Sequence, residues 1–304
     1  MTAPDAITRW RRPLRCDPWL TLSALHRGRG DPTQRVAADG SVWRTAQTPA
    51  GPGTLRLSAA SGWLDAAAWG PGAQWLVHQA PAMLGGDDDV TGFEPRHDVI
   101  ARAWRRLSAL RLPSLGLVFE LVVPAVLEQR VTGVDARRSW RELLRRFGEP
   151  APGPAPAGMR VVPPAAVWRR IPSWDWHRAG VDPGRARTVV AAAQVAHRLD
   201  ESIGLPRADR LRRLRAVPGI GRWTAAEVAQ RAWGDPDEVS VGDFHIPALV
   251  GWALAGRPVD DDGMLELLAP YAGHRQRAVR LIELSGIRKP RFGPRAPVAD
   301  IRAI

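Results

Sequence analysis

The feature that most constrains the fold is a very short turn, Pro218-Gly219-Ile220-Gly221, set between two segments of helical spacing, 207–216 and 222–233. A connection this short obliges the two helices to pack against each other as a hairpin. The two glycines let the backbone turn sharply and approach a ligand without side-chain hindrance, and Ile220 between them is placed to pin the helices from inside. The second helix opens with free N–H groups, which together with the helix dipole suit a phosphate oxygen. An ordinary helix–helix turn packed by Leu214, Val217 and Ile220 satisfies the same pattern, so the turn alone leaves both readings open.

Charge narrows them. The 304 residues carry 43 Lys and Arg against 31 Asp and Glu, a net charge of +12. That balance favours a polyanionic partner, although arginine-rich, lysine-poor usage also follows from GC-rich coding. Lys289 is the one lysine in the sequence, and Cys16 the one cysteine. A lone cysteine excludes an internal disulfide framework and a four-cysteine zinc or iron–sulfur site. Residues 1–15 carry Arg9, Arg11, Arg12 and Arg15 but no apolar stretch of the signal-peptide kind, and no apolar run reaches bilayer length, so a cytoplasmic location without membrane attachment is expected.

The chain is long enough for two or three packed units. From 19 to about 84 apolar residues tend to alternate, as in 19–25, 41–44 and 54–57, with turn chemistry at 27–32, Asp39-Gly40 and 49–53. This predicts a small antiparallel sheet, closed by the Gly-rich acidic stretch 85–89. Helical spacing follows from about Ser114, with Pro124 implying a kink, and then over 137–147. A Pro/Gly/Ala linker covers 149–164, and helices are expected at 164–170, 183–200, 207–216, 222–233, 244–255, 261–269 and 274–285. The predicted class is α+β: an N-terminal antiparallel sheet domain (1–95), a mostly α-helical two-subdomain core (96–290, hairpin 207–233) and a basic C-terminal tail (291–304).

With the hairpin and the segment Val239-Ser240-Val241-Gly242-Asp243-Phe244-His245 in view, the chain resembles the helix-hairpin-helix DNA glycosylases, most of all the bacterial DNA-3-methyladenine glycosylase II kind. The similarity spans about 117–284, and the strand-rich unit before it resembles the amino-terminal domain of that group. The resemblance implies a base-excision repair enzyme acting on double-stranded DNA with damaged purines, as a monomer. It flips an alkylated purine out of the helix and hydrolyses its N-glycosidic bond, leaving an abasic site.

Residue by residue, the resemblance makes Asp243 the catalytic carboxylate, stabilising the oxocarbenium-like sugar or orienting water, while its position before a helix also suits an N-cap. Trp223 occupies the place where nicking relatives carry a nucleophilic lysine, so Schiff-base chemistry and lyase activity are not expected. Its indole is suited to a cationic base through cation–π contact. Phe244, His274 and Glu227 fall at further pocket positions, the last two replacing aromatic residues. Gln129 and Arg130 correspond to the wedge that fills the vacated duplex. Pro218, Gly219, Ile220, Gly221, Arg222 and Thr224 would hold the DNA backbone, and the carbonyls of Arg215, Val217 and Ile220 a structural Na+ or K+; no other cofactor is expected. Two rival readings stand beside this one: a hairpin module that binds DNA without cutting it, and a glycosylase for oxidised purines. The arginines at 137, 138, 141, 145 and 146 offer either a broader basic surface or an ordinary solvated helix face.

Overall fold

In the computed structural model, which describes residues 2–11, 17–288 and 290, the chain first builds a five-stranded antiparallel sheet. Cys16, Lys289 and the expected tail 291–304 lie outside the described residues. Strands β1 (Ala6–Arg11), β2 (Gln34–Val36), β3 (Val42–Thr48), β4 (Gly51–Ala60) and β5 (Trp63–Trp69) lie in the order β1-β5-β4-β3-β2. Strand alternation sends Leu55, Leu57, Ala66 and Ala68 inward and leaves Arg56 and Ser58 on the other face. The Asp39-Gly40 turn joins β2 to β3 as expected. Gly40 takes φ +78°, and Asp39 Oδ1 accepts from Ser41 N (3.0 Å) and Ser41 Oγ (2.6 Å). Those Ser41 bonds, helped by Arg56, hold the Asp39 carboxyl at about 2.

The alternation at 19–25 misleads. Pro18–Leu22 is a helical turn continued by a 3-10 turn, Ser23–Leu25. Asp17 Oδ1 accepts from Trp19 N (2.9 Å) and Leu20 N (3.2 Å), and Pro18 fills the first helical position, where a missing N–H costs nothing. The same region also holds a full helix, α1 (Ala73–Met83), which lays Leu76, Val77, Ala80 and Met83 on the sheet.

Numbering the helices of eight residues or more in chain order, α2 (Asp98–Arg106), α3 (Val118–Leu127), α4 (Gly133–Phe147), α5 (Pro183–Gln194), α6 (Arg207–Arg215), α7 (Arg222–Ala232), α8 (Ile246–Ala255), α9 (Asp261–Leu268) and α10 (Arg275–Leu284) follow. Expected and observed ends agree within two residues for α6 to α10. The 183–200 segment breaks at Val195 (φ −115°, ψ 18°) into α5 and a short helix, Ala196–Asp200. Pro124 lies inside α3 without ending it, and every residue of α3 is buried.

Burial cuts the chain differently from the expected 1–95 and 96–290 division. One apolar cluster runs from Ala6 on β1 to Ala232 on α7, uniting the sheet with α1, α3 to α5 and the hairpin. A second unites Phe93, α2 and Leu110 with Val239 and α8 to α10. Charge stitches the sheet to the helices too: Glu120 on α3 and Arg44 on β3 pair at 2.8 Å, both nearly inaccessible, and Gln47 N donates to the same carboxylate. Burial pushes Glu120 up, against the pull of Arg44. In the acidic stretch 85–89, Gly86, Asp87 and Asp89 are exposed, while the Asp88 side chain is buried in an ion pair with Arg277 of α10. Among the described residues no helix is long and apolar enough to cross a membrane.

Candidate active site

The hairpin forms as its residues dictate. Leu214, Val217 and Ile220 are buried where α6 and α7 converge. Gly219 adopts φ +87°, and a Cβ there would collide with Thr188 Oγ1, so the position demands glycine on both counts. Gly221 is extended and exposed, and a Cβ built on it meets nothing within 4 Å. No side chain caps α7, so the N–H groups of its first turn have no side-chain acceptor there. Pro218 and Arg222 are exposed beside this opening, as is Arg215 at the end of α6, and Thr224 is buried under it.

The turn after α3 is tied to the hairpin. Gln129 Nε2 donates to the Gly219 carbonyl (3.0 Å) and to Thr224 Oγ1 (2.8 Å). Arg130, the next residue, is exposed and held at φ +53°, a left-handed backbone rarely adopted by a residue with a side chain. The strained arginine thus stands at the lip of the hairpin, positioned by its neighbour. Gln129→Ala removes two hydrogen bonds worth together about 1–2 kcal/mol. It is expected to lower the stability of the chain by about that amount, read as a shift of the urea unfolding midpoint at constant m-value; an unchanged midpoint would show that other contacts place the tip.

Asp243 faces the start of α7 across a short gap. Its Oδ2 accepts from Trp223 Nε1 at 2.9 Å, and its Oδ1 accepts from His245 N (2.7 Å) and Ile246 N (2.9 Å) at the start of α8. One carboxylate therefore joins the two apolar clusters, with one oxygen on the hairpin helix and the other on the α8 terminus. It begins α8 at Ile246 rather than at the expected 244. Gly242 (φ +89°) precedes it, and its N–H donates to Asp261 (3.0 Å), fixing the loop from the other side. Phe244 is 88% exposed next to the carboxylate, its ring edge-on to His245.

Glu227, one turn beyond Trp223 on the same side of α7, points inward. Its Oε1 accepts from Ser240 Oγ (2.5 Å), and its Oε2 pairs with Arg231 (2.9 Å). Burial pushes its carboxyl up, Arg231 pulling against that and Glu128 adding to it. Gln230 Nε2 donates to Ser240 Oγ (2.9 Å), and the Ser240 carbonyl accepts from Asp243 N (3.2 Å). A polar chain from inside α7 thus ends on the backbone of Asp243, and sequence reasoning assigned Ser240 no role in it. The spacing of Trp223, Glu227 and Arg231 at i, i+4 and i+8 was the signal available. His274 joins a different group: its ring bonds the Thr91 carbonyl (3.1 Å), accepts from Arg277 Nε (3.3 Å) and meets Phe93 edge-on. Among the described residues, none of these partners shares a side-chain hydrogen bond with Asp243 or Trp223. A cavity of about 610 Å³ lined by Trp75, Gln79, Glu120 and Asp200 also shares no residue with this site.

The whole arrangement is that of the helix-hairpin-helix DNA glycosylase fold. The chain superimposes on the 3-methyladenine DNA glycosylase of Archaeoglobus fulgidus with a TM-score of 0.72 and 16% identity, over 91% of this chain and 98% of that one. The Clostridium acetobutylicum 8-oxoguanine glycosylase/lyase in its apo form matches with a TM-score of 0.70 and 9% identity, over 94% and 100%. At such identities the likeness is one of fold. In sequence, 145 residues are 31% identical to the probable bifunctional transcriptional activator/DNA repair enzyme AlkA of Mycobacterium tuberculosis, covering 45% of this chain and 27% of that protein. The chain thus spans about a quarter of the length of the curated relatives it matches. No family model matches it.

Proposed function

We propose that this protein is a monofunctional DNA glycosylase that removes alkylated purines of the 3-methyladenine type from double-stranded DNA. The observation that carries the reading is the Asp243 carboxylate, held between the Trp223 indole N–H and the first turn of α8 beside an uncapped hairpin helix. The hairpin N–H groups and Arg222 take a phosphate of the lesion strand, and Arg130 enters the gap left when the nucleotide turns out. The bond to Asp243 uses the edge of Trp223, and stacking on a flipped base would use its π-face. A cationic alkylated purine gains most from an electron-rich indole.

Breaking the C1′–N bond sends its electron pair onto the purine, which leaves as the free base. The sugar passes through an oxocarbenium-like state that the Asp243 charge stabilises. Water adds at C1′ and gives up a proton, leaving an abasic site. The carbonyls of Arg215, Val217 and Ile220 would hold a monovalent cation, whose charge would favour a phosphate at the hairpin; Val217 O already takes the Ile220 N–H (3.0 Å), which leaves it a second lone pair.

A lyase needs an amine at the sugar, and Trp223 stands where that lysine would be. Methylated duplex DNA incubated with the protein is expected to yield free 3-methyladenine with an uncut backbone, and borohydride is expected to trap no protein–DNA adduct. Duplex binding without base release would reduce the protein to a binding module. Release of 8-oxoguanine in preference, spared by Trp223→Ala, would move it to the oxidised-purine class.

A further inference from the structure

The turn Arg27-Gly28-Arg29-Gly30-Asp31 lies against α4. Gly28 (φ +78°) and Gly30 (φ +81°) are both left-handed. A Cβ on Gly28 would collide with Arg137 Cδ, and one on Gly30 would sit 3.4 Å from Arg141 Cδ. The glycines therefore let two arginine stems, one helical turn apart, lie across the loop, with Arg141 reaching the Arg29 carbonyl at 3.5 Å. The acids at this face are occupied. Asp31 is buried and accepts from Arg27 N, Thr33 N and Thr33 Oγ1; Glu128 pairs with Arg27, Asp135 with Arg138, Glu142 with Arg145 and Asp175 with Arg146. Of the five α4 arginines, 138, 145 and 146 are thus neutralised. Among the ion pairs of the described residues, Arg29, Arg137 and Arg141 do not occur; Arg137 and Arg141 lie one turn apart on α4, and exposed Arg29 sits in the glycine turn that their stems cross.

Its place in the fold gives this group a use. The strained turn carrying Arg130 sits between two neighbours: Gln129 is bonded to the hairpin, while Glu128 is bonded to Arg27 at the base of the glycine turn. A duplex wedged open at Arg130 with one strand on the hairpin would lay its other strand toward the glycine turn. We propose that Arg29, Arg137 and Arg141 form a second phosphate-binding row that holds the strand opposite the flipped base. The inference rests on the glycosylase reading for the wedge but requires only duplex binding for its test.

The full chain is titrated with a duplex carrying a tetrahydrofuran abasic analogue, by anisotropy over a salt series. Arg137→Gln/Arg141→Gln keeps most of each stem; it is expected to reduce the slope of log affinity against log salt by about 2 and to weaken binding roughly 10-fold or more near physiological salt. Arg29→Gln, on the exposed turn, lowers the slope by about 1, and Arg145→Gln leaves it unchanged. Neutral methylphosphonate linkages in the strand opposite the analogue weaken the parent protein and leave the double variant unaffected, whereas the same linkages in the analogue strand weaken both alike. An unchanged slope in a double variant of unaltered melting temperature, or a loss of sensitivity confined to the analogue strand, overturns the inference and leaves the glycosylase reading standing. A parent protein that binds no duplex overturns both.

Discussion

Asp243→Asn is expected to slow release of 3-methyladenine from methylated duplex by at least about 100-fold in single turnover, with duplex binding retained. The substitution removes the negative charge and, of the three hydrogen bonds the carboxylate accepts, one. The amide oxygen still accepts from His245 N and Ile246 N, which the carboxylate holds at 2.7 and 2.9 Å, so α8 keeps its start. The new NH2 then faces Trp223 Nε1, donor against donor, and that hydrogen bond is lost. Losing it costs about 1 kcal/mol of stability. A carboxylate that served only as a helix cap would give the opposite pattern: a lower melting temperature in Asp243→Ala and no change in rate for Asp243→Asn. Base release at the parental rate by the asparagine variant would sink the mechanism, whatever its melting temperature.

What could be read from the sequence divides by range of interaction. The hairpin was legible because its determinants are local: glycine where φ is positive, and apolar residues at 214, 217 and 220 that meet only if the chain turns between them. Asp243 was singled out by its distance from that hairpin and by its place before a helix, and its carboxylate does accept from His245 N and Ile246 N where α8 starts. Two local misreadings have physical causes. Alternation at 19–25 was overridden by a single capping aspartate with a proline behind it. Helix α1 buries Ala73, Leu76, Val77, Ala80 and Met83, a helical spacing present in the sequence but masked by the glycines before it and Pro81 within it.

Long-range pairings left no such trace. Glu120 with Arg44 and Asp88 with Arg277 join residues 76 and 189 positions apart, and each looks in isolation like a solvated charge. The strain at Arg130 is equally invisible, because an arginine carries no preference for φ +53°. His274 stands at the N-cap position of α10, without a side-chain cap bond. Its slot in the sequence suited a base contact or a helix cap, and its partners here are Thr91, Phe93 and Arg277.

Arg277→Met is expected to lower the stability of the whole chain by about 3–5 kcal/mol, the cost of stranding a buried charge. Arg277 is fully buried and Asp88 is 3% exposed in its side chain, with guanidinium to carboxylate distances of 2.6 and 2.9 Å. Arg277 also donates to the Asp89 carbonyl (3.0 Å), and Asp88 accepts from Leu112 N (3.0 Å). The pair therefore clamps the 85–93 strap onto the α10 side of the second apolar cluster, the unit that presents α8 and Asp243 to the hairpin. Methionine fills most of the volume but answers none of the charge, leaving Asp88 with one backbone donor. Asp88→Asn should cost less, since a neutral amide still accepts from Leu112 N and from the guanidinium. Because a well-packed apolar replacement of both partners is often near neutral, Arg277→Met with Asp88→Leu should recover part of the loss and fall short of the parent by the orphaned Leu112 N–H. Urea unfolding midpoints at constant m-value read all three. A single Arg277→Met variant within about 1 kcal/mol of the parent would mean that water reaches Asp88 and that the strap is not held by this pair.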